Sequence, residues 1–156
     1  MNEELDIKLR PYEPSDFNFI INSWLNSSHE LFPARKINKK YFNKVNTPIL
    51  SLLLSQCTIL VACNKDDANH IFGYLVYERI ANEIIIYWLY VKKELRNFGI
   101  ASKLINKAIP EFTKQPIAIT SIPNLKAPIE DKLDVLTKYN LIFDPYIVSR
   151  KIQITM

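Results

Sequence analysis

Residues 96–102 read Arg-Asn-Phe-Gly-Ile-Ala-Ser, and Gly99 is one of only two glycines in 156 residues. Without a Cβ, a glycine lets the chain turn tightly or left-handedly and lets an anion approach its N–H. Apolar residues at helical spacing follow it (Ile100, Leu104, Ile105, Ala108 and Ile109). The loop therefore leads into a helix whose first N–H groups lack intrahelical acceptors and sit at the positive end of the dipole. Backbone N–H groups of residues 97 to 102 can converge there on phosphate oxygens, with Arg96 as a cation beside them. Hydrogen bonds to charged groups contribute about 1.5–3 kcal/mol each. That chemistry suits a diphosphate, although the stretch taken alone also reads as an ordinary loop glycine beside a solvated arginine.

Other chemistries are narrowed by what the chain lacks. There is no G-x-x-x-x-G-K-[ST], and Gly73 and Gly99 cannot form G-x-G-x-x-G. Cys57 and Cys63, in or beside TILVAC, have neither zinc nor C-x-x-C spacing and read as core thiols. His29 and His70 stand in polar contexts without a partner at metal or triad spacing, so no metal is expected. The net charge of +4 comes from 20 basic residues interspersed with 16 acids, with no dense basic block. That pattern fits an anionic small ligand at least as well as a nucleic acid.

The elements that must position the loop follow from periodicity. DIKLR alternates as a strand, and Ser15 and Asp16 are N-cap types ahead of Phe17, Ile20, Ile21 and Trp24 at helical spacing. A second helix is expected from Tyr41 to Leu54, with Pro48 as a point of division. TILVACN, IFGYLVYER and EIIIYWLYV follow as strands joined by hairpin-like turns, KDDANH and IAN. The helix after Gly99 is limited by Pro110, and PIAITSI gives a further strand. IEDKLDVLTKY is a last helical candidate, and YIVSRKIQI closes the chain in alternation. The order β, α, α, β, β, β, α, β, α, β implies an α/β architecture with a mixed sheet and helices on its faces.

With 48% hydrophobic and 23% charged residues the chain is expected to be a soluble single domain. The N-terminus has no apolar signal region, and the longest apolar runs fall short of the roughly 18 residues of a membrane span. A cytoplasmic protein without membrane association is expected.

Arg96-Asn97-Phe98-Gly99-Ile100-Ala101 matches [RQ]-x-x-G-x-[GA] and stands between an apolar strand and an amphipathic helix. In this it resembles the acetyl-CoA loop of the GCN5-related N-acetyltransferase (GNAT) superfamily. IKLRPYEPSD resembles that family's first strand and helix start, and IFGYLVYER its third strand, where a glycine such as Gly73 is frequent. Close packing of backbone is the preferred reading of Gly73 itself. The short length and the YNLIFDPYIV ending are similar to small family members encoded by phages and prophages.

The resemblance implies a central twisted mixed sheet of six to seven strands flanked by about four helices, as one acyl-CoA-binding domain over residues 1–156. It implies that acetyl-CoA, as acyl donor, lies with its pyrophosphate on Arg96, Asn97, Phe98, Gly99, Ile100, Ala101 and Ser102. The fourth strand would splay from the fifth, and pantetheine would pair with the backbone of Leu89 and Val91 in the gap. An N–H at Leu89 or Tyr90 would meet the oxyanion.

The implied reaction is direct attack of a primary amine on the acetyl thioester. Glu78 and Glu83, at strand ends, are the candidate bases acting through water, each also readable as a solvated hairpin carboxylate. The family's thiolate-protonating tyrosine falls on Leu136 here; Tyr139, one turn on, is the substitute candidate. That departure sustains an alternative, a non-catalytic CoA-binding or protein-interaction module. The acceptor, a small molecule or protein amine with aminoacyl-tRNA still open, is left unspecified, as is the choice between monomer and homodimer.

Overall fold

The computed structural model describes residues 5–30, 34–80, 83–109, 117–119 and 141–143. Strand β1 (Ile7–Pro11) is followed by helices α1 (Phe17–His29) and α2 (Lys39–Gln56), then by β2 (Thr58–Asn64), β3 (Ile71–Ile80) and β4 (Glu83–Val91). Helix α3 (Ile100–Ala108) leads to β5 (Ile117–Ile119), and β6 is Leu141–Phe143. The strands form one sheet in the order β1-β2-β3-β4-β5-β6. The first four are mutually antiparallel, and β5 and β6 add in parallel. The α/β reading with a mixed sheet therefore holds.

Against the six to seven strands and about four helices expected, the described residues carry the strands just named and three α-helices. The fourth helical candidate and the YIVSRKIQI strand lie outside the described residues. Strand β6 was not anticipated: LIF falls between the IEDKLDVLTKY helical candidate and the YIVSRKIQI strand, in residues assigned to no element. No helix among the described residues is long and apolar enough to cross a membrane.

Two local expectations need correction. Pro48 does not divide α2, which runs unbroken for 18 residues. Pro48 has no N–H to offer the preceding turn. Just before it, Asn46 Nδ2 donates to Phe42 O at 2.8 Å and Thr47 Oγ1 to Asn43 O at 2.6 Å, and the buried Leu50, Leu53 and Leu54 anchor the helix beyond it.

The second concerns Asp16, which stands at the N-cap of α1 as its type suggests. It makes no side-chain cap bond to α1. Its carboxylate accepts two bonds from the Arg10 guanidinium, each 2.8 Å, and the Glu13 N–H at 2.8 Å. Arg10 also donates to Ala68 O at 2.9 Å, so one buried ion pair ties β1, the turn before α1 and the β2–β3 turn together. Burial works to raise the Asp16 carboxyl, but the bonds from Arg10 and from the Glu13 N–H outweigh it and hold it below its ordinary range.

The sheet has two unlike faces. Helices α1 and α2 cover one with Ile20, Ile21, Trp24, Leu25, Leu50, Leu53 and Leu54 against Val61, Tyr74, Val76, Ile85 and Tyr87. Helix α3 covers the other with Ile100, Leu104, Ile105 and Ala108 against Phe72, Leu75, Ile84, Ile86, Ile117 and Ile119. Gly73 lies where β3 meets the end of β4: an added Cβ would come within 2.4 Å of Tyr90 O. Close backbone approach is thus what the residue serves.

Candidate functional site

Strand β4 carries a register shift. Val76 pairs with Trp88 and Tyr77 with Ile86, so Tyr87 is the extra residue of a β-bulge. The side-chain alternation changes phase there. Ile84 and Ile86 face α3, as do Leu89 and Val91 beyond the bulge, whereas the consecutive Tyr87 and Trp88, with Tyr90, face α1 and α2.

The bulge also marks where β4 loses a neighbour. Ile84, Ile85 and Ile86 pair with Ile117, Ala118 and Ile119 of β5, and among the described residues the pairing stops there. From Trp88 to Val91 the strand stays bonded to β3 only. Lys92 N–H donates to Phe72 O at 2.9 Å, so the even-numbered backbone groups here turn toward β3. Val91 O instead accepts from Arg96 Nε at 3.0 Å, so the odd-numbered groups turn to the open edge. Leu89 and Val91 thus present backbone to that edge, with Val91 O occupied by Arg96, while Tyr90 presents its backbone to β3.

A short 3-10 turn, Lys93–Leu95, brings the chain from β4 to the glycine loop. Asn97 has φ 78° and Gly99 φ 76°, the only positive-φ residues described. Asn and Gly are the types most at ease in that left-handed region. Gly99 is the N-cap of α3, with no side-chain cap, and nothing lies within 4 Å of where its Cβ would be. Its need for glycine is therefore conformational, with open space above it. Helix α2, by contrast, begins with Asn38 Oδ1 accepting the Tyr41 N–H at 3.2 Å.

Around this turn Arg96, Asn97, Phe98 and Gly99 are exposed, with Phe98 50% accessible. Ala101 and Ser102 are half-buried on the first helical turn. The Ile100 side chain is in the core, which leaves its backbone to serve the loop. An exposed cation, alternating left-handed backbone and an uncapped helix start together make an anion cradle with the chemistry a pyrophosphate requires.

The aromatic face lies on the other side of β4. Trp88 stacks on Trp24 with centroids 5.5 Å apart, and its Nε1 is buried with no hydrogen-bond partner among the described residues. Tyr90 packs against Tyr74 and Phe19 at 5.4 and 6.2 Å, and the Lys92 ammonium sits 5.5 Å from the Phe19 centroid. Burial, aided by Glu94 and Glu30 and opposed by Arg96, pushes the Tyr90 phenol up.

The two candidate bases are placed differently. Glu83 is exposed at the β3–β4 hairpin, opposite Ile80. Glu78 is half-buried, and its Oε2 accepts the Tyr87 hydroxyl at 2.9 Å. Tyr139 and Leu136 lie outside the described residues. His29 Nε2 contacts Ile37 O at 2.7 Å and His70 packs on Phe72, both remote from the loop in sequence. Sequence reasoning missed Tyr87. The signal was present in the adjacent aromatics of IIIYWLY, but a run apolar on both faces hides the phase change of a bulge.

A model of the acetyltransferase (GNAT) family matches residues 20–127. Among solved structures, a candidate acetyl transferase from Pyrococcus furiosus aligns with TM-score 0.59 at 19% identity, over 83% of this chain and 91% of that one. A possible acetyltransferase from Clostridium difficile 630 aligns with TM-score 0.55 at 18% identity, over 88% and 93%. A ribosomal-protein-alanine N-acetyltransferase from Brucella melitensis biovar Abortus 2308 aligns with TM-score 0.51 at 13% identity, over 84% and 88%. At such identities these likenesses establish the fold alone. Among curated proteins none matches the sequence.

Proposed function

The chain belongs to the GNAT acetyltransferase family, and from that premise we propose that it transfers the acetyl group of acetyl-CoA to a primary amine by direct attack. The observation that carries this reading is the turn through Asn97 and Gly99 into the uncapped start of α3. There the N–H groups of residues 97–102 and the Arg96 guanidinium receive the pyrophosphate, in a geometry that aligned backbone dipoles favour for anions.

From that anchor the pantetheine arm runs back along the open edge of β4 and bonds to Leu89 and to the Val91 N–H, in effect as an added strand. The Leu89 N–H is the donor placed for the thioester oxygen, because the Tyr90 N–H is turned to β3. Such a donor stabilises the oxyanion that develops as the amine attacks. An alkylammonium has a pKa near that of lysine, about 10.4, so the site must remove a proton before attack. Glu78 is the better placed base, being half-buried and held by a hydrogen bond where Glu83 is exposed. The thiolate is a tolerable leaving group and can take its proton from the attacking amine or from water.

Calorimetric titration with acetyl-CoA, alongside a thermal melt, tests the reading. Saturable binding is expected, and ligand at about 100 times its dissociation constant should add roughly 2.7 kcal/mol, a rise in Tm of about 5–10 °C for this size. Absence of binding at millimolar acetyl-CoA would contradict it.

A further inference from the structure

We propose that Tyr87 is a positioning residue, holding the Glu78 carboxylate as the proton acceptor for the incoming amine at the bulge where, among the described residues, the β4–β5 pairing ends. The proposal rests on the acetyl-transfer reading above, and three observations carry it.

The first is direct geometry. The Tyr87 hydroxyl donates to Glu78 Oε2 at 2.9 Å, across the shifted register that puts Tyr87 and Trp88 on one face. Tyr87 follows two residues after Ile85, the register partner of Glu78, and shares its face, while the bulge adds Trp88 to that same face.

The second is reach. A strand rises about 3.3 Å per residue, so from Val91 back to Tyr87 is about 13 Å, close to the span of an extended pantetheine arm. A donor anchored on the glycine loop therefore brings its sulfur to the level of Tyr87–Leu89, beside the Glu78 pair.

The third is the phenol's surroundings. Tyr87 is 1% exposed. Burial, then the bond and charge of Glu78, then Cys57 at the end of α2, push its hydroxyl well above the ordinary range. It stays protonated through any practical assay and remains a donor that does not compete for the amine's proton. Ile85, the register partner of Glu78, and Ala118 beside it are apolar residues of this face. Arg79, next to Glu78, reaches instead toward Ala108 O at 3.4 Å, on the α3 side.

The step balances simply. The ammonium gives one proton to Glu78, directly or through one water; its nitrogen forms the C–N bond as the C–S bond breaks. The second proton goes to the departing thiolate, and Glu78 returns its proton to water.

The test is a double-mutant cycle on CoA release. Acetyl-CoA is supplied with tyramine, spermidine, an alanine-led peptide, or water alone as acceptor. Glu78→Gln should lower kcat about a hundredfold, and Tyr87→Phe about tenfold with the KM for acetyl-CoA unchanged. Adding Tyr87→Phe to Glu78→Gln should cost nothing more, because the phenol acts through the carboxylate. An equal loss from Tyr87→Phe in both backgrounds, or none in either, overturns the proposal. So does acetyl-CoA binding without release of CoA to any of these acceptors. Failure of acetyl-CoA to bind at all would instead bring down the underlying reading, and thermal melts of each variant separate both from misfolding.

Discussion

The first half of β4, Ile84–Ile86, is bonded to β3 on one edge and β5 on the other, and its isoleucines are only 4–6% exposed. The second half, Trp88–Val91, is bonded to β3 alone among the described residues, is half-buried throughout, and leads to the left-handed turn at Asn97 and Gly99. On the proposed reading one strand serves as core and then as site, with Tyr87 between the two halves. Stability and ligand affinity should therefore separate along it, since a strand edge that binds a ligand must be left unpaired by the fold.

The largest effect should come from the clamped half. Ile86→Ala removes buried volume between α3 and the sheet and should cost about 2–5 kcal/mol, seen as a lowered Tm. The dissociation constant for acetyl-CoA, measured on the folded protein by calorimetry, should stay within about twofold. A large loss of affinity would mean that the two halves do not act separately.

Gly99→Val acts at the other end. The space around Gly99 is open, so the cost is conformational, at least about 1–2 kcal/mol for a left-handed L-residue and more for a β-branched one. Relief of that strain would rotate the N–H groups of the loop away from the pyrophosphate. Acetyl-CoA affinity should fall more than tenfold, with a smaller loss of Tm than Ile86→Ala.

Arg96→Ala should weaken acetyl-CoA binding by about tenfold, in line with loss of one exposed charge-assisted contact, and leave Tm nearly unchanged. Smallest of all, Glu83→Gln should alter neither Tm nor kcat, because that carboxylate is exposed at the hairpin. A Glu83→Gln enzyme as impaired as Glu78→Gln would reassign the base.

How much of this was legible beforehand differs between the same two halves. The boundaries of TILVACN and EIIIYWLYV as strands coincide with β2 and β4, because polar turns bracket strongly apolar runs. The glycine loop was legible from Gly99, one of two glycines in the chain and able to hold positive φ, whereas the positive φ of Asn97 appears only in the structure. The bulge was not. Alternation reveals which face a side chain takes only when the faces differ in polarity, and EIIIYWLYV is apolar on both. Pro48 and Asp16 misled for a related reason. The helix-breaking rule of Pro48 was overridden by the buried leucines of α2, and Asp16, though at the N-cap, gives its carboxylate to the guanidinium of Arg10 instead of capping.

The most direct measurement is an acetyl-CoA titration followed at backbone amides by two-dimensional NMR. The expected result is saturable shifts of Leu89, Val91 and residues 97–102, with Ile84, Ile85 and Ile86 unmoved. Shifts centred on Ile84–Ile86, or none at the glycine loop at millimolar ligand, would contradict the assignment of the open half of β4 as the acetyl-CoA site.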